Sequence, residues 1–150
     1  MKLHHALRTT LASTSGWAPL PIRIALGLSF VAHGSQKLFA AFGGYGLEGT
    51  GQFMASIGLE PGYLMALMAG LVEFLGGLAV MLGLLTRPAA LAAAVLMVVA
   101  IVTVHLPHGF FADHGGFEYQ LTLLAGFVAL LIGGAGRYSL DHLIVSRIKG

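Results

Sequence analysis

The amino-acid sequence predicts an all-α fold, a transmembrane four-helix bundle with a short interfacial helix in its first outer loop. First, hydrophobic residues make up 57% of the 150-residue chain, charged residues make up only 9%, and the mean hydropathy is +0.86. A soluble domain carries roughly 25% charged residues. The core of a soluble 150-residue domain could not bury so much apolar surface. Second, the apolar residues fall into four segments of about 18–23 residues, the length that crosses ~30 Å of hydrocarbon as a helix. Third, all five prolines lie at the ends of these segments.

The four predicted spans cover residues 21–42, 63–85, 89–106 and 117–135. Proline favours the first turn of a helix and resists continuation of one, so its positions support these bounds. The link Thr86-Arg87-Pro88 is so short that spans two and three must be antiparallel neighbours. We therefore divide the chain into an N-terminal tail (1–18), a four-helix membrane domain (19–144) and a C-terminal tail (145–150).

The segment between spans one and two, residues 43–62, is too polar and too rich in glycine to cross a membrane. Within it, Leu47, Phe53, Met54 and Ile57 recur at nearly helical spacing, which predicts a short helix lying in the membrane interface. Its glycines form neither a phosphate-binding loop nor a dinucleotide fingerprint, because no GK[ST] follows them and no strand precedes them.

The basic residues predict the topology. If both termini lie on one side of the membrane, that side holds Lys2, Arg8, Arg87, Arg137, Arg147 and Lys149. The loops on the other side then contain Glu48, Glu60 and Asp113 but no lysine or arginine. The positive-inside rule therefore predicts that both termini are cytoplasmic.

Composition also excludes several classes of function. The chain contains no cysteine, so disulfides, thiolate nucleophiles and cysteine-ligated zinc or iron–sulfur centres are excluded within it. Its net charge is only +2, and no cluster of basic residues with interleaved aromatics suggests a nucleic-acid partner. The partner that composition predicts is the lipid bilayer.

Ionisable residues inside the predicted spans are the candidate functional residues, because such groups are costly in lipid and usually face the interior of a bundle. The candidate ligand-binding residues are His33, Lys37, Glu73, His105 and Glu118, and we interpret Arg23 as a structural charge near the cytoplasmic face. Small residues share a helical face with Glu73 in span two and with Glu118 in span four, which predicts that both carboxylates lie on packing faces. Helix depth then predicts an outward-opening pocket floored by His33 and Glu73.

Three interpretations of these buried charges stay open. The groups could pair with one another and only fix the arrangement of the helices. They could instead form a binding or redox pocket. A metal or haem site is the least favoured, although His33 and His105 lie on separate helices as haem ligands can. The Glu-x-x-His motif of di-iron bundles is absent, and Pro107 prevents His105 and His108 from sharing a helical face. We therefore expect no metal ligands and no haem, and the identity of the cofactor stays open.

At the level of motifs, the chain resembles the DoxX family of small bacterial membrane proteins over residues 21–144. The matching segments are RIALGLSFVAHGSQKLF (23–39), GLEGTGQFMASIGLEP (46–61), VEFLGGLAVMLGLLTRPAAL (72–91), VHLPHGFFADHGGFEYQLTLL (104–124) and GAGRYSLDHLI (134–144). The resemblance implies a four-helix protein of the bacterial inner membrane. It also implies an association with membrane redox complexes and with quinone or catechol stress.

Three functions follow as hypotheses. The first is a redox accessory protein that binds a quinone-like molecule in the outward pocket, where His33 or Lys37 would donate hydrogen bonds and a carboxylate would accept protons. Electrons would have to come from a partner subunit or a bound cofactor. The second is a non-enzymatic structural or assembly subunit of a membrane redox complex. The third is a small-molecule transporter, which with four helices would require a homo-oligomer.

Overall fold

The computed structural model describes residues 9–13 and 16–148, and within these ranges it is helical with no β-strand. The helices are α1 (Pro19–Phe39), α2 (Gly46–Ser56), α3 (Gly62–Leu82), α4 (Thr86–Ala100), α5 (Glu118–Gly133) and α6 (Leu140–Ile148). The chain continues from α4 through a π-helical turn, Ile101–His105, and a 3-10 turn, Leu106–His108. The all-α prediction is thus confirmed, and the predicted interfacial segment forms α2.

Two of the predicted spans, α3 and the continuous stretch Thr86–His108, are long and apolar enough to cross a membrane. The apolar α5 is shorter, at 16 residues. Helix α1 has 21 residues, but Arg23, His33 and Lys37 make it more polar. Length and composition therefore support two of the four predicted spans.

The long helices contact one another in a closed order. Helix α1 packs most extensively against α3, α3 and α5 both pack against α4, and a smaller contact joins α5 to α1. Helix α2 lies mainly against α3. Glycine permits the close approach of α1 and α3, because a Cβ atom on Gly34 would lie 2.8 Å from the Cα of Phe74. Gly77 is equally confined, since its Cβ would lie 2.9 Å from the Cβ of Phe30.

The buried face of α5 differs from the predicted one. We expected Glu118, Thr122, Gly126, Ala129 and Gly133 to form the packing face, but Thr122 and Ala129 are exposed. The buried residues of this helix are the bulky Leu123, Phe127 and Leu130. They pack in one core with Ala90, Ala93 and Ala94 of α4, so the small residues that permit close packing are supplied by the facing helix. Of the predicted face, Glu118, Gly126 and Gly133 are half-buried, and Gly126 lies against Leu26 of α1, so this prediction was correct only in part.

Arg23 lies in a buried polar cluster at the opposite end of α1 from Lys37. Its side chain is 2% exposed and donates hydrogen bonds to four backbone carbonyls, those of Val80, Met81, Ala135 and Tyr138, at 2.7–2.9 Å. Two of these carbonyls belong to the last turn of α3, where a cation interacts favourably with the helix dipole. Arg23 therefore joins α1 to the end of α3 and to the link between α5 and α6.

Asp141, in the first turn of α6, is the anionic counterpart of Arg23. It is 1% exposed and accepts hydrogen bonds from the N–H groups of Leu85, at 2.7 Å, and Thr86, at 3.0 Å. These donors lie at the start of α4, so a residue distant in sequence caps this helix. Opposite charges of Arg23 and Asp141 also attract each other across the cluster.

The described parts of both predicted tails are structured. Leu11 is 3% exposed, the N–H of Gly136 donates to the hydroxyl of Ser13 at 2.5 Å, and that of Arg137 donates to the carbonyl of Gly16 at 2.8 Å. Residues 1–8, 14–15 and 149–150 of the predicted tails lie outside the described residues. The predicted boundary at residue 144 falls inside α6, for which no helix was predicted.

Candidate functional site

A cavity of about 300 Å³, the inner cavity, lies between helices α1 to α5. Its polar lining consists of His33, Lys37, Glu73, His105, Tyr119 and Gln120. The rest of the lining is mostly apolar and includes Phe30, Met97 and Leu123. A largely apolar wall with a few polar groups is typical of a small-molecule site.

Lys37 and Glu73 form an ion pair in the wall of the inner cavity. The Nζ atom of Lys37 lies 2.6 Å and 2.9 Å from the two carboxylate oxygens of Glu73. The Glu73 side chain is only 7% exposed, whereas that of Lys37 is 23% exposed. Because neither charge is fully hydrated, each depends on the other, and the pair presents a donor and an acceptor to the cavity.

His33 and Tyr119 face each other across the gap between α1 and α5. Their ring centroids are 6.1 Å apart, and the hydroxyl of Tyr119 is hydrogen-bonded to that of Ser29, one turn before His33 in α1. His33 also lies close enough to Glu73 to interact with its charge. Both rings are exposed on one side while they line the inner cavity on the other.

The hydrogen bond of His105 defines what this residue offers to a ligand. Its Nδ1 atom lies 2.7 Å from the carbonyl oxygen of Gly115. A carbonyl can only accept, so Nδ1 carries a proton, and in the neutral ring Nε2 holds a lone pair. The π-helical turn that ends at His105 is a local widening of the kind often found at functional sites. His105 therefore brings a potential hydrogen-bond acceptor to the cavity wall.

Glu118 does not line the inner cavity, although we predicted it as a ligand-binding residue with the four residues that do. Its Oε2 atom accepts a hydrogen bond from the N–H of Ala112 at 3.1 Å, within the loop that precedes α5. The next two residues of α5, Tyr119 and Gln120, line the cavity in its place, because they lie on the same side of the helix as the buried Leu123.

Tyr119 and Gln120 are thus the polar cavity residues that the sequence analysis missed. The Oε1 atom of Gln120 is buried, and no hydrogen-bond partner for it exists among the residues that the structure describes. An unpartnered buried polar atom costs free energy unless a ligand or water satisfies it. The signal that could have identified both residues is their position one helical turn before Leu123 and two turns before Phe127, on the bulky face of α5.

A second, wider cavity of about 540 Å³, the outer cavity, lies between the end of α1 and helix α2. Its lining includes Gln36, Tyr45 and Thr50 together with three glycines. Lys37 and Phe53 line both cavities, so their side chains stand between the two. Lys37 is therefore the polar side chain that the two cavities share.

The arrangement can hold a small molecule by complementary hydrogen bonds. Lys37 supplies N–H donors, while Glu73 and the Nε2 atom of His105 supply acceptors. Within residues 9–13 and 16–148, no three histidine or acidic side chains gather as they would around a metal ion. The polar side chains that line the inner cavity can form hydrogen bonds and exchange protons with a ligand.

Comparison with known proteins places these features in a family. The family model described as DoxX matches residues 18–106. The "Inner membrane protein YqjF" of Escherichia coli (strain K12) is 37% identical over 128 residues, which cover 83% of this chain and 90% of that protein. The "Putative oxidoreductase CatD" of Bacillus subtilis (strain 168) is 34% identical over 125 residues, 83% of this chain and 85% of that protein. The "Inner membrane protein YphA" of Escherichia coli (strain K12) is 31% identical over 128 residues, 80% of this chain and 85% of that protein. No solved structure matches the chain significantly.

Proposed function

Because the chain belongs to the DoxX family of membrane proteins, we propose that it is a redox-associated accessory protein of the bacterial inner membrane that binds a quinone-like molecule in the inner cavity. In this proposal α1, α3, α4 and α5 form a transmembrane four-helix bundle. Both termini are cytoplasmic, as the positive-inside rule predicts. The inner cavity then opens toward the outer side of the membrane.

The observation that carries the proposal is the combination of size and polarity in the inner cavity. Its volume is about 300 Å³, whereas a cavity of about 150 Å³ holds benzene. A single substituted ring therefore fits. Lys37 and Glu73 lie on one part of the wall, and aromatic and aliphatic side chains form most of the remainder. This wall suits a flat ring with polar atoms at its edge.

The hydrogen-bonding groups match both forms of such a ring. A quinone oxygen accepts a hydrogen bond from Lys37, and a hydroquinone hydroxyl donates to Glu73 or to Nε2 of His105. Interconversion of the two forms takes two electrons and two protons. The side chains that line the cavity can exchange the protons, and the electrons come from a redox partner or cofactor. The name of the CatD relative is consistent with a redox association.

A second candidate function is that of a structural subunit that supports the assembly of a membrane complex. The observation that favours it is that the buried charges already have partners within the protein. Lys37 and Glu73 form an ion pair, and Arg23 donates four hydrogen bonds to backbone carbonyls. In this case the polar interior only fixes the packing of the helices. Mutation of the cavity would then leave association with the partner unchanged.

Binding of a tailless ring probe, 2,3-dimethoxy-5-methyl-1,4-benzoquinone, tests the proposed function. We expect calorimetry on purified protein in nanodiscs to detect binding, and Lys37→Met to weaken it about tenfold or more, the equivalent of ~1.4 kcal/mol. Glu118→Gln is the matched control, because it removes a carboxylate on the same end of the protein that does not line the inner cavity. Absence of binding, or equal weakening by both substitutions, would contradict the proposal.

A further inference from the structure

The wall of the inner cavity is incomplete between α1 and α5. Of the residues that line this cavity, His33, Phe53 and Tyr119 are the exposed ones. His33 belongs to α1 and Tyr119 to α5, and the contact between these helices is the smallest in the closed order of α1, α3, α4 and α5. The cavity thus reaches the side of the protein through a gap, which we call the α1–α5 seam and define by Ser29, His33 and Tyr119.

The helices separate at the seam because their packing changes along their length. One turn before Ser29 in α1, Leu26 packs so closely on α5 that a Cβ on Gly126 would lie 2.8 Å from its methyl carbon. On the buried side of α1, the ring of Phe30 contacts that of Phe127, with ring centroids 4.4 Å apart. Toward the outer end, this tight packing gives way to the inner cavity. Two contacts then bridge the gap between α1 and α5. They are the hydrogen bond between the hydroxyls of Ser29 and Tyr119 and the contact between the rings of His33 and Tyr119.

The seam lies at a depth where it would face acyl chains. Ser29 and His33 precede Phe39, the last residue of α1, by ten and six residues, which corresponds to about 15 and 9 Å along the helix. In a hydrocarbon layer ~30 Å thick, these positions fall within the outer leaflet. The side chains that flank the gap on the lipid side are therefore surrounded by lipid rather than by water.

The outer cavity is a poor route for an apolar group. It is lined by Gln36, Lys37, Tyr45 and Thr50 and by the backbone of three glycines, and Phe53 stands between it and the inner cavity. The lining surface of this cavity is largely apolar, as is that of the inner cavity. The outer cavity lies at the end of α1, however, so a chain that left through it would emerge into water at the membrane surface, which costs free energy. A chain that left through the seam would stay in hydrocarbon.

We infer that the ligand of the inner cavity is an amphiphile that enters from the bilayer through the α1–α5 seam, with its polar ring in the cavity and a hydrocarbon tail that passes between Ser29, His33 and Tyr119 into lipid. This inference rests on the proposed function and adds the class of ligand and its route. The Tyr119 side chain lies across the route. For the tail to pass, the hydrogen bond between the hydroxyls of Tyr119 and Ser29 must break, or the Tyr119 side chain must move.

The absence of cysteine from the chain permits a direct test. A variant with Ser29→Cys and Tyr119→Cys is bridged across the seam by a short bis-methanethiosulfonate and released by dithiothreitol. A control variant with Arg87→Cys and Ile132→Cys is bridged in the same way between α4 and α5. In the native protein, the Arg87 side chain donates a hydrogen bond to the Ile132 carbonyl at this place. The probes are the tailless ring used above and the same ring with a ten-carbon tail, with affinities measured in nanodiscs.

Compared with the same double variant before cross-linking, the bridged form should bind the tailed probe about tenfold or more weakly and should bind the tailless ring with unchanged affinity. Dithiothreitol should restore the affinity for the tailed probe. The control bridge should change neither affinity. If both probes bind and the seam bridge weakens neither, the inferred route is overturned while the proposed function stands. If neither probe binds the native protein, the proposed function fails and the inferred route fails with it.

A photoreactive diazirine at the end of the tail gives an independent readout that requires no substitution. We expect mass spectrometry to find the label on peptides from α1 and α5. Labels concentrated on residues 43–53, which border the outer cavity, would instead overturn the route through the seam.

Discussion

Replacement of Lys37 by methionine is expected to lower the free energy of unfolding by about 3 kcal/mol, near the lower end of the range for breaking a buried ion pair. The substitution leaves the Glu73 carboxylate, which is 7% exposed, without the cation that lies 2.6 Å away. Glu73→Gln should cost less, about 1–2 kcal/mol. It leaves Lys37 charged, but this side chain is 23% exposed and borders the outer cavity, where water can reach it.

The double variant measures the interaction itself. With both charges removed, the loss should be about 1–2 kcal/mol, because neither a buried carboxylate nor an unpaired ammonium remains. The loss expected from simple addition of the two single variants is about 4–5 kcal/mol. The coupling between the residues should therefore be about 3 kcal/mol, which is large for a surface pair and ordinary for a buried one.

Reversible unfolding in mixed detergent micelles, followed by circular dichroism, provides these free energies for the native protein and the three variants. The measurement is repeated at low and at high salt, since a buried pair is screened much less than an exposed one. Additive effects of the two substitutions, or a Lys37→Met loss smaller than that of Glu73→Gln, would refute the reasoning, because either result means that the carboxylate does not depend on Lys37.

Three further predictions concern the rest of the bundle. Arg23→Met should lower the free energy of unfolding by about 3–5 kcal/mol, because four backbone carbonyls lose the hydrogen bond that Arg23 donates. A change below ~1 kcal/mol in the same assay would contradict the description of this cluster. Gly34→Ala should destabilise by about 1–3 kcal/mol through a clash between α1 and α3, whereas Gly76→Ala, where the added Cβ meets nothing within 4 Å, should be neutral or stabilise by up to ~1 kcal/mol. For topology, a membrane-impermeant maleimide applied to intact cells should label Glu48→Cys and not Arg87→Cys; the reverse pattern would place the termini outside.

The elements that the sequence predicted well are those whose signal is local. Prolines and glycines predicted the ends of the helices to within a few residues. The nearly helical spacing of Leu47, Phe53, Met54 and Ile57 was enough to identify α2. The buried face of α3 was predicted except at Gly76, which is half-buried, with nothing within 4 Å of an added Cβ. The other residues of the predicted face are all buried: Ala66, Ala69, Gly70, Glu73 and Gly77. On α3 the small residues lie on the same side of the helix as Glu73, so both signals predict the same buried face.

The errors arose where burial depends on a partner helix. On α5 we predicted the small-residue stripe as the packing face, whereas its fully buried residues are bulky ones that pack against the alanines of α4. Tyr119 and Gln120, which precede these bulky residues, line the inner cavity, and Glu118 does not. Asp141 was missed because its hydrogen-bond partners, Leu85 and Thr86, lie more than 50 residues away.

A structure determined with the tailless ring probe bound tests the central claim most directly, because it shows whether a ring occupies the inner cavity. We expect density for the ring beside the Lys37–Glu73 pair, with a polar ring atom within hydrogen-bond distance, about 2.7–3.2 Å, of Lys37 Nζ or His105 Nε2. An inner cavity that stays free of the probe at saturating concentration, or a probe found only at the lipid-facing surface, would contradict the account.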